Sequence, residues 1–254
     1  MQDRYAGDVG DYGKYGLLRR LCRRDAHGPE FRLGVLWYLT EDAKPGDGEK
    51  LDYLDPPLND EFRRCDPALF EKMRSVVHGG ARSVAFVEAC GALPANTVFF
   101  RDKLVFEPYQ KRASRASNRR DWVETGLRAV KDAHLVFADP DTGLEVSSKG
   151  PLSGEGPKYA FYEDLLPCWR RGQSLVIYQH IARNESAEEQ IATRLDELRR
   201  RFAGACGAFA ARYRRGTSRA YFVIPAAAHA ERLVARCRDL LASAWGRGPR
   251  PLFT

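Results

Sequence analysis

Three sets of polar residues stand directly after short apolar runs in this chain, and that placement makes them candidates for chemistry. The run His134–Ala138 (HLVFA) ends in Asp139-Pro140-Asp141-Thr142-Gly143, with Glu145 just beyond. The run Ser174–Tyr178 (SLVIY) ends in Gln179-His180, and Arg32–Leu39 (RLGVLWYL) ends in Thr40-Glu41-Asp42 and the turn-rich stretch to Gly46-Asp47-Gly48. In an open α/β sheet, ligands bind at the carboxyl ends of the strands, so the three sets are expected to meet in one crevice. Asp139, Pro140, Asp141 and His180 are the candidate catalytic residues. A carboxylate can orient a polar acceptor, and a histidine can take a proton near neutral pH. Backbone preference alone would make Asp139–Gly143 a turn, since Pro, Asp and Gly all favour one. A metal-based alternative uses Asp139, Asp141 and Glu145, with Lys149 or Lys158 and His180, to hold Mg²⁺ and activate water against a phosphodiester. Asp55-Pro56-Pro57 follows no apolar strand and reads as a loop.

The elements that must carry these residues follow from periodicity. Asp8 is placed to cap a helix over about Val9–Arg24, with Leu17, Leu18, Leu21 and Cys22 on its apolar stripe. Gly10, Gly13 and Gly16 share one face of that helix. Each costs roughly 1 kcal/mol relative to alanine, which makes sense where another group must come very close. Helical spacing recurs at Glu61–Val77, Arg82–Cys90, Asp121–Lys131, Tyr159–Arg170, Ala187–Phe202 and Ala228–Ala242. Strand-like runs lie at Arg32–Leu39, Thr97–Arg101, His134–Ala138 and Ser174–Tyr178, and the basic segment Lys111–Arg120 reads as an exposed loop. Phe209–Arg214 and Arg219–Ile224, joined by Arg215-Gly216-Thr217-Ser218, form an antiparallel hairpin. Apolar strands alternating with helices imply one α/β domain over residues 1–254. It should be Rossmann-like, with a mostly parallel sheet, helices on both faces and a C-terminal antiparallel hairpin.

Composition narrows the class. The chain has 254 residues, 44% of them hydrophobic, and a net charge of +7, so it can bury a core and is not a disordered chain. No apolar run approaches the ~20 residues of a membrane helix. Met1–Tyr5 holds no secretory-type apolar stretch, and the expectation is a cytoplasmic protein. The 6 cysteines form no C-x-x-C pair and no Cys/His cluster, which argues against a zinc site and a disulfide scaffold. Basic groups at Arg19–Arg24, Lys111–Arg120 and Arg212–Arg219, with Tyr109, Trp122 and Tyr213 among them, suit a nucleic-acid partner.

The opening Tyr5-Ala6-Gly7-Asp8-Val9-Gly10-Asp11-Tyr12-Gly13-Lys14-Tyr15 resembles the start of the bacterial large-subunit rRNA adenine-N6 methyltransferases. These are class I S-adenosylmethionine (SAM)-dependent enzymes with an A-G-x-x-x-D-x-x-K-H pattern. Ala6, Gly7, Asp11 and Lys14 match it, and Tyr15 stands in place of the histidine. The resemblance implies that Lys14 lies near the cofactor, with Thr40, Asp42, Gly46 and Gly48 in the cofactor loop. It also implies that Asp139-Pro140 stands where the family has D-P-P-[YF], and that the last strand inserts antiparallel at the sheet edge. Asp141 and Thr142 replace the second proline and the stacking aromatic, so the motif is degenerate. Asp102 is the candidate for the ribose hydroxyls. Three functions are thus expected to compete. They are SAM-dependent N-methylation of a nucleic-acid base, metal-dependent phosphodiester cleavage, and nucleic-acid binding without turnover.

Overall fold

The Asp8 carboxylate accepts a hydrogen bond from the Asp11 amide at 2.8 Å and starts the first helix, α1 (Val9–Cys22). This end of the molecule is seen in a computed structural model that describes residues 1–41, 48–80, 82–182, 185–205, 207–247 and 250–254. Strand β1 (Leu33–Leu36) follows, buried throughout. The helix expected over Glu61–Val77 is two helices, α2 (Asn59–Arg63) and α3 (Pro67–His78). Pro67 has no N–H with which to continue the first, and the Asp66 carboxylate caps the second through the Leu69 amide. Then come α4 (Val84–Ala89), capped by Ser83, and β2 (Val98–Phe100).

Helix α5 (Arg112–Ala129) corrects the expectation of a loop over Lys111–Arg120. Alanine and arginine are good helix formers, and Arg119 is drawn inward to pair with Asp164. The helix expected to begin at Asp121 therefore starts nine residues earlier, and Asp121 lies inside it. The chain continues through β3 (Leu135–Ala138), β4 (Gly143–Leu144), β5 (Tyr159–Ala160), α6 (Tyr162–Arg170) and β6 (Ser174–His180). It ends with α7 (Ala187–Arg201), β7 (Phe209–Tyr213), β8 (Arg219–Ile224) and α8 (Ala230–Ala242).

The main sheet has the order β2-β1-β3-β6-β8-β7. Strands β2, β1, β3 and β6 are parallel, and β8 runs antiparallel to both β6 and β7. The fold is Rossmann-like. The reversed last strand does not lie at the edge, because β7 takes that place and β8 is inserted inside it. Alternation along each strand feeds two cores. Leu33, Val35, Leu135, Phe137, Tyr221 and Val223 face α1, α3, α4 and α8, whereas Leu36, Val136, Ala138, Phe222 and Ile224 face α5, α6 and α7. Among the described residues, no helix is long and apolar enough to cross a membrane.

The glycine face of α1 meets side chains of the C-terminal part of the chain. A Cβ at Gly10, Gly13 or Gly16 would overlap the Arg219 guanidinium, the Tyr213 ring and the Trp245 ring, respectively. The helix therefore lies close against the β7–β8 hairpin, which sets the position of its first two turns over the ends of the strands.

Candidate functional site

The α1 glycines and the sheet register together build a cleft of about 500 Å³ at the carboxyl end of the strands, a size ordinary for small-molecule sites. Its walls come from the start of α1 (Asp8, Asp11, Lys14), the segment Gly48–Lys50, the end of β3 (Asp139, Pro140, Asp141), the end of β6 (Tyr178, His180) and the hairpin (Thr217, Arg219). Antiparallel pairing sets His180 opposite Arg219, which is why residues 39 positions apart share a wall.

A buried charge cluster forms the floor. The Lys14 Nζ lies 2.7 Å from Asp139 Oδ2 and 2.8 Å from Asp11 Oδ1. Asp11 Oδ2 accepts from the Tyr15 hydroxyl at 2.8 Å and from the Gly7 amide at 3.2 Å. The amine also lies 5.8 Å from the Trp37 ring centroid and 6.0 Å from that of Tyr178. Burial pushes the Lys14 pKa down, but the Asp11 and Asp139 carboxylates outweigh it and hold the amine protonated well above the usual lysine range. Burial pushes Asp139 the other way, and although Lys14 pulls back, the carboxyl stays above the usual carboxylate range. Asp8 is likewise raised by burial, opposed by the nearby Arg219 charge. Arg219 Nη2 donates to Thr217 Oγ1 at 2.7 Å. Among the described residues, the hydrogen bond that Asp139 accepts on its carboxylate is that from Lys14, on Oδ2.

Met1 lies across the gap between the carboxyl ends of β1 and β3, where the strand order reverses. Its main-chain nitrogen reaches the Tyr38 and Asp139 carbonyls at 3.1 and 3.2 Å, and its carbonyl accepts from the Thr40 amide at 3.0 Å. The open cleft is consequently shifted from that gap toward β3, β6 and β8. Gln2 Nε2 donates to Asp141 Oδ2 at 3.1 Å.

Of the residues singled out from sequence, Lys14, Gly48, Asp139, Pro140, Asp141 and His180 share this cleft. Thr40 does not line it, because Met1 stands between. Asp42 and Gly46 lie outside the described residues. Glu145 is turned away, its Oε2 accepting from the Tyr162 amide at 2.8 Å at the start of α6, so the Asp139/Asp141/Glu145 set does not assemble. Asp102 is exposed, and its carbonyl accepts from the Trp122 indole. Sequence reasoning placed Asp8 only as a cap and Arg219 only in a basic surface, and it missed Tyr5, Glu49 and Lys50. For Arg219 a signal existed in Gly10, the one helical position whose missing side chain makes room for it.

No family model, curated protein or solved structure matches the chain.

What this cleft can bind is therefore read from its donor set. Asp8, Asp141 and Glu49 offer carboxylates to a cation, and Arg219 and Lys50 offer positive charge to an anion. SAM carries a sulfonium and an ammonium beside a carboxylate, and that mixture of charges fits. Among the described residues of the loop that the resemblance implies, Gly48 lines the cleft and Thr40 does not. The Thr40 amide is taken by Met1, and Gly48, at φ +79°, is backed against the Arg4 carbonyl. A divalent ion fits less well. Among the described residues the only three ligand groups close enough to share one are Asp25, His27 and Asp239, beyond the far end of α1. Arg23 and Arg236 already pair with these carboxylates.

Proposed function

We propose that this protein is a SAM-dependent N-methyltransferase acting on a base of nucleic acid, with the cleft at the end of β3 as its active site. The observation that carries this reading is the 2.7 Å contact between Lys14 Nζ and Asp139 Oδ2 on the cleft floor. Methyl transfer from a sulfonium needs little acid–base help. The site has to hold the acceptor in line and stabilise developing charge. A buried carboxylate kept ionised by a fixed ammonium is a preorganised acceptor for an amino N–H.

SAM, when bound, supplies the methyl group. Asp8, Asp141 and Glu49 would hold its cationic part, and Arg219 and Lys50 would hold its carboxylate. Asp139 Oδ1 accepts the hydrogen bond of the amino group to be methylated and so orients the nitrogen lone pair. His180 or Asp141 takes the proton released as the nitrogen gains its substituent. Lys14 acts through Asp139 and is a positioning residue. With Asp141 and Thr142 where the resembled family has a proline and a stacking aromatic, the acceptor base is left open by this chain.

The test is a calorimetric titration with SAM, together with transfer of labelled methyl groups to RNA and DNA. Binding is expected for the wild type and for Asp139→Asn, with transfer lost only in the variant. Absence of a SAM heat in the wild type would remove the reading.

A further inference from the structure

The turn after β2 holds one aromatic ring outside the protein. Tyr109 is 98% exposed, and the only other exposed large hydrophobic among the described residues is Val105, in the same loop. The loop itself is braced. Leu104 and Phe106 are buried, the Gln110 amide donates to the Glu107 carbonyl at 3.0 Å, and Gln110 Oε1 accepts from the Glu107 amide at 3.2 Å. Arg115 Nη2 reaches up from α5 to the Glu107 and Pro108 carbonyls at 2.8 and 3.2 Å, while its guanidinium lies 5.5 Å from the Phe106 ring centroid. Tyr109 is thus held out by a turn pinned from below. In the same loop and at the start of α5, Lys103, Lys111 and Arg112 are exposed and have no carboxylate partner among the described residues. Two exposed acids, Asp102 and Glu107, share the loop. The neighbouring cations are spent elsewhere, Arg101 on Glu88 and Arg119 on Asp164.

We infer that this loop is a binding platform for single-stranded nucleic acid, with one unpaired base stacked on Tyr109 and the adjoining phosphates met by Lys103, Lys111 and Arg112. An aromatic ring presented with its face open suits an unstacked base, and sequence-tolerant stacking of this kind is worth about 5- to 150-fold in affinity. Unpaired cations near it in the chain add a salt-dependent attraction to phosphate. The loop follows β2 and the cleft follows β3, so both lie at the carboxyl end of the sheet, where one strand can engage both. The inference rests on the nucleic-acid part of the proposed function and specifies its substrate as single-stranded.

Fluorescence anisotropy with labelled 12-nucleotide single strands of RNA and of DNA, and with the matching duplexes, tests it. Single strands are expected to bind more tightly than duplexes. Tyr109→Ala should weaken them about tenfold, with Tyr109→Phe close to wild type. Lys111→Ala combined with Arg112→Ala should flatten the salt dependence. Because Tyr109 touches almost nothing, an unchanged melting temperature is the folding control. Which of RNA and DNA binds more tightly identifies the strand. Tighter binding of duplexes, or equal affinity for wild type and Tyr109→Ala, overturns the inference. Tyr109-dependent binding without methyl transfer would keep the platform and discard the methyltransferase reading, and methyl transfer indifferent to Tyr109 would do the reverse.

Discussion

The Arg219 guanidinium occupies the space where a side chain at Gly10 would stand: a Cβ at position 10 would overlap Nη1, Cζ and Nη2 together. A residue on the first helix and one on the last strand thus share one volume, and the cleft wall depends on that fit.

Gly10→Ala should accordingly destabilise the protein even though alanine is the better helix former. The propensity gain is roughly 1 kcal/mol, and overpacking a buried neighbour costs about 1–3 kcal/mol. Gly13→Ala, under the Tyr213 ring, should behave alike. Urea denaturation reads the balance, and stabilisation in both variants would mean that Arg219 and Tyr213 have room to move aside.

Lys14→Met leaves Asp11 and Asp139 buried without their shared cation, which should cost about 3–5 kcal/mol. Adding Asp139→Asn should recover about 0.5–3 kcal/mol of that loss as coupling. Additive effects in the double-mutant cycle would show that the pair is energetically independent despite its 2.7 Å separation.

Methyl transfer should lose rate on the acid side at a pH above the usual carboxylate range. Burial holds the Asp139 pKa up, and only its ionised form accepts the acceptor's N–H. The rate falls as pH falls through that raised value. Asp139→Asn should lower the rate by about 10²–10³-fold and abolish the limb. A limb that survives in the variant belongs to another group.

His229 Nδ1 lies 2.9 Å from Ser174 Oγ, which also accepts from the Ala226 amide at 2.9 Å. The hydroxyl can donate to Nδ1 only while the imidazole is neutral. Burial, then Arg232 and His134, push the His229 pKa below 6.5. Below its ordinary value the unfolded chain binds the extra proton and the native state does so later, so stability should fall as pH drops through about 6.5. Melting temperatures from pH 7.5 to 5 should show this in the wild type and less of it in His229→Asn. Parallel curves would assign the pH dependence to other groups.

Glu145→Ala should cost about 0.5–2 kcal/mol, the usual loss of a helix-start cap, through the Tyr162 amide that it leaves unpaired. Methyl transfer should be unchanged. Loss of a metal-dependent cleavage activity in this variant would instead return Glu145 to the chemistry.

Much of the site was legible without coordinates because it depends on local rules. Asp8 caps α1 through its own third residue onward, and β3 and β6 are apolar runs whose ends must carry whatever follows them. Asp139, Asp141 and His180 could thus be assigned to one end of one sheet from periodicity alone. Loop and helix were confused at Lys111–Arg120, where a basic sequence with small residues suits either state. The buried pairing of Arg119 with Asp164, 45 residues later, accompanies the helix.

What only the tertiary structure decided are the partners. Lys14 meets Asp139 across 125 positions of chain, and Arg219 is a buried wall of the cleft instead of part of an exposed basic surface. Glu145 is spent on a helix start, and Met1 stands between Thr40 and the cleft. Capping, alternation and turn formation are written in neighbouring residues, so the amino-acid order sets where the strands end. Charge pairing, close packing on glycine and the filling of a crevice depend on which distant groups share a volume, and that is settled only when the sheet closes against its helices.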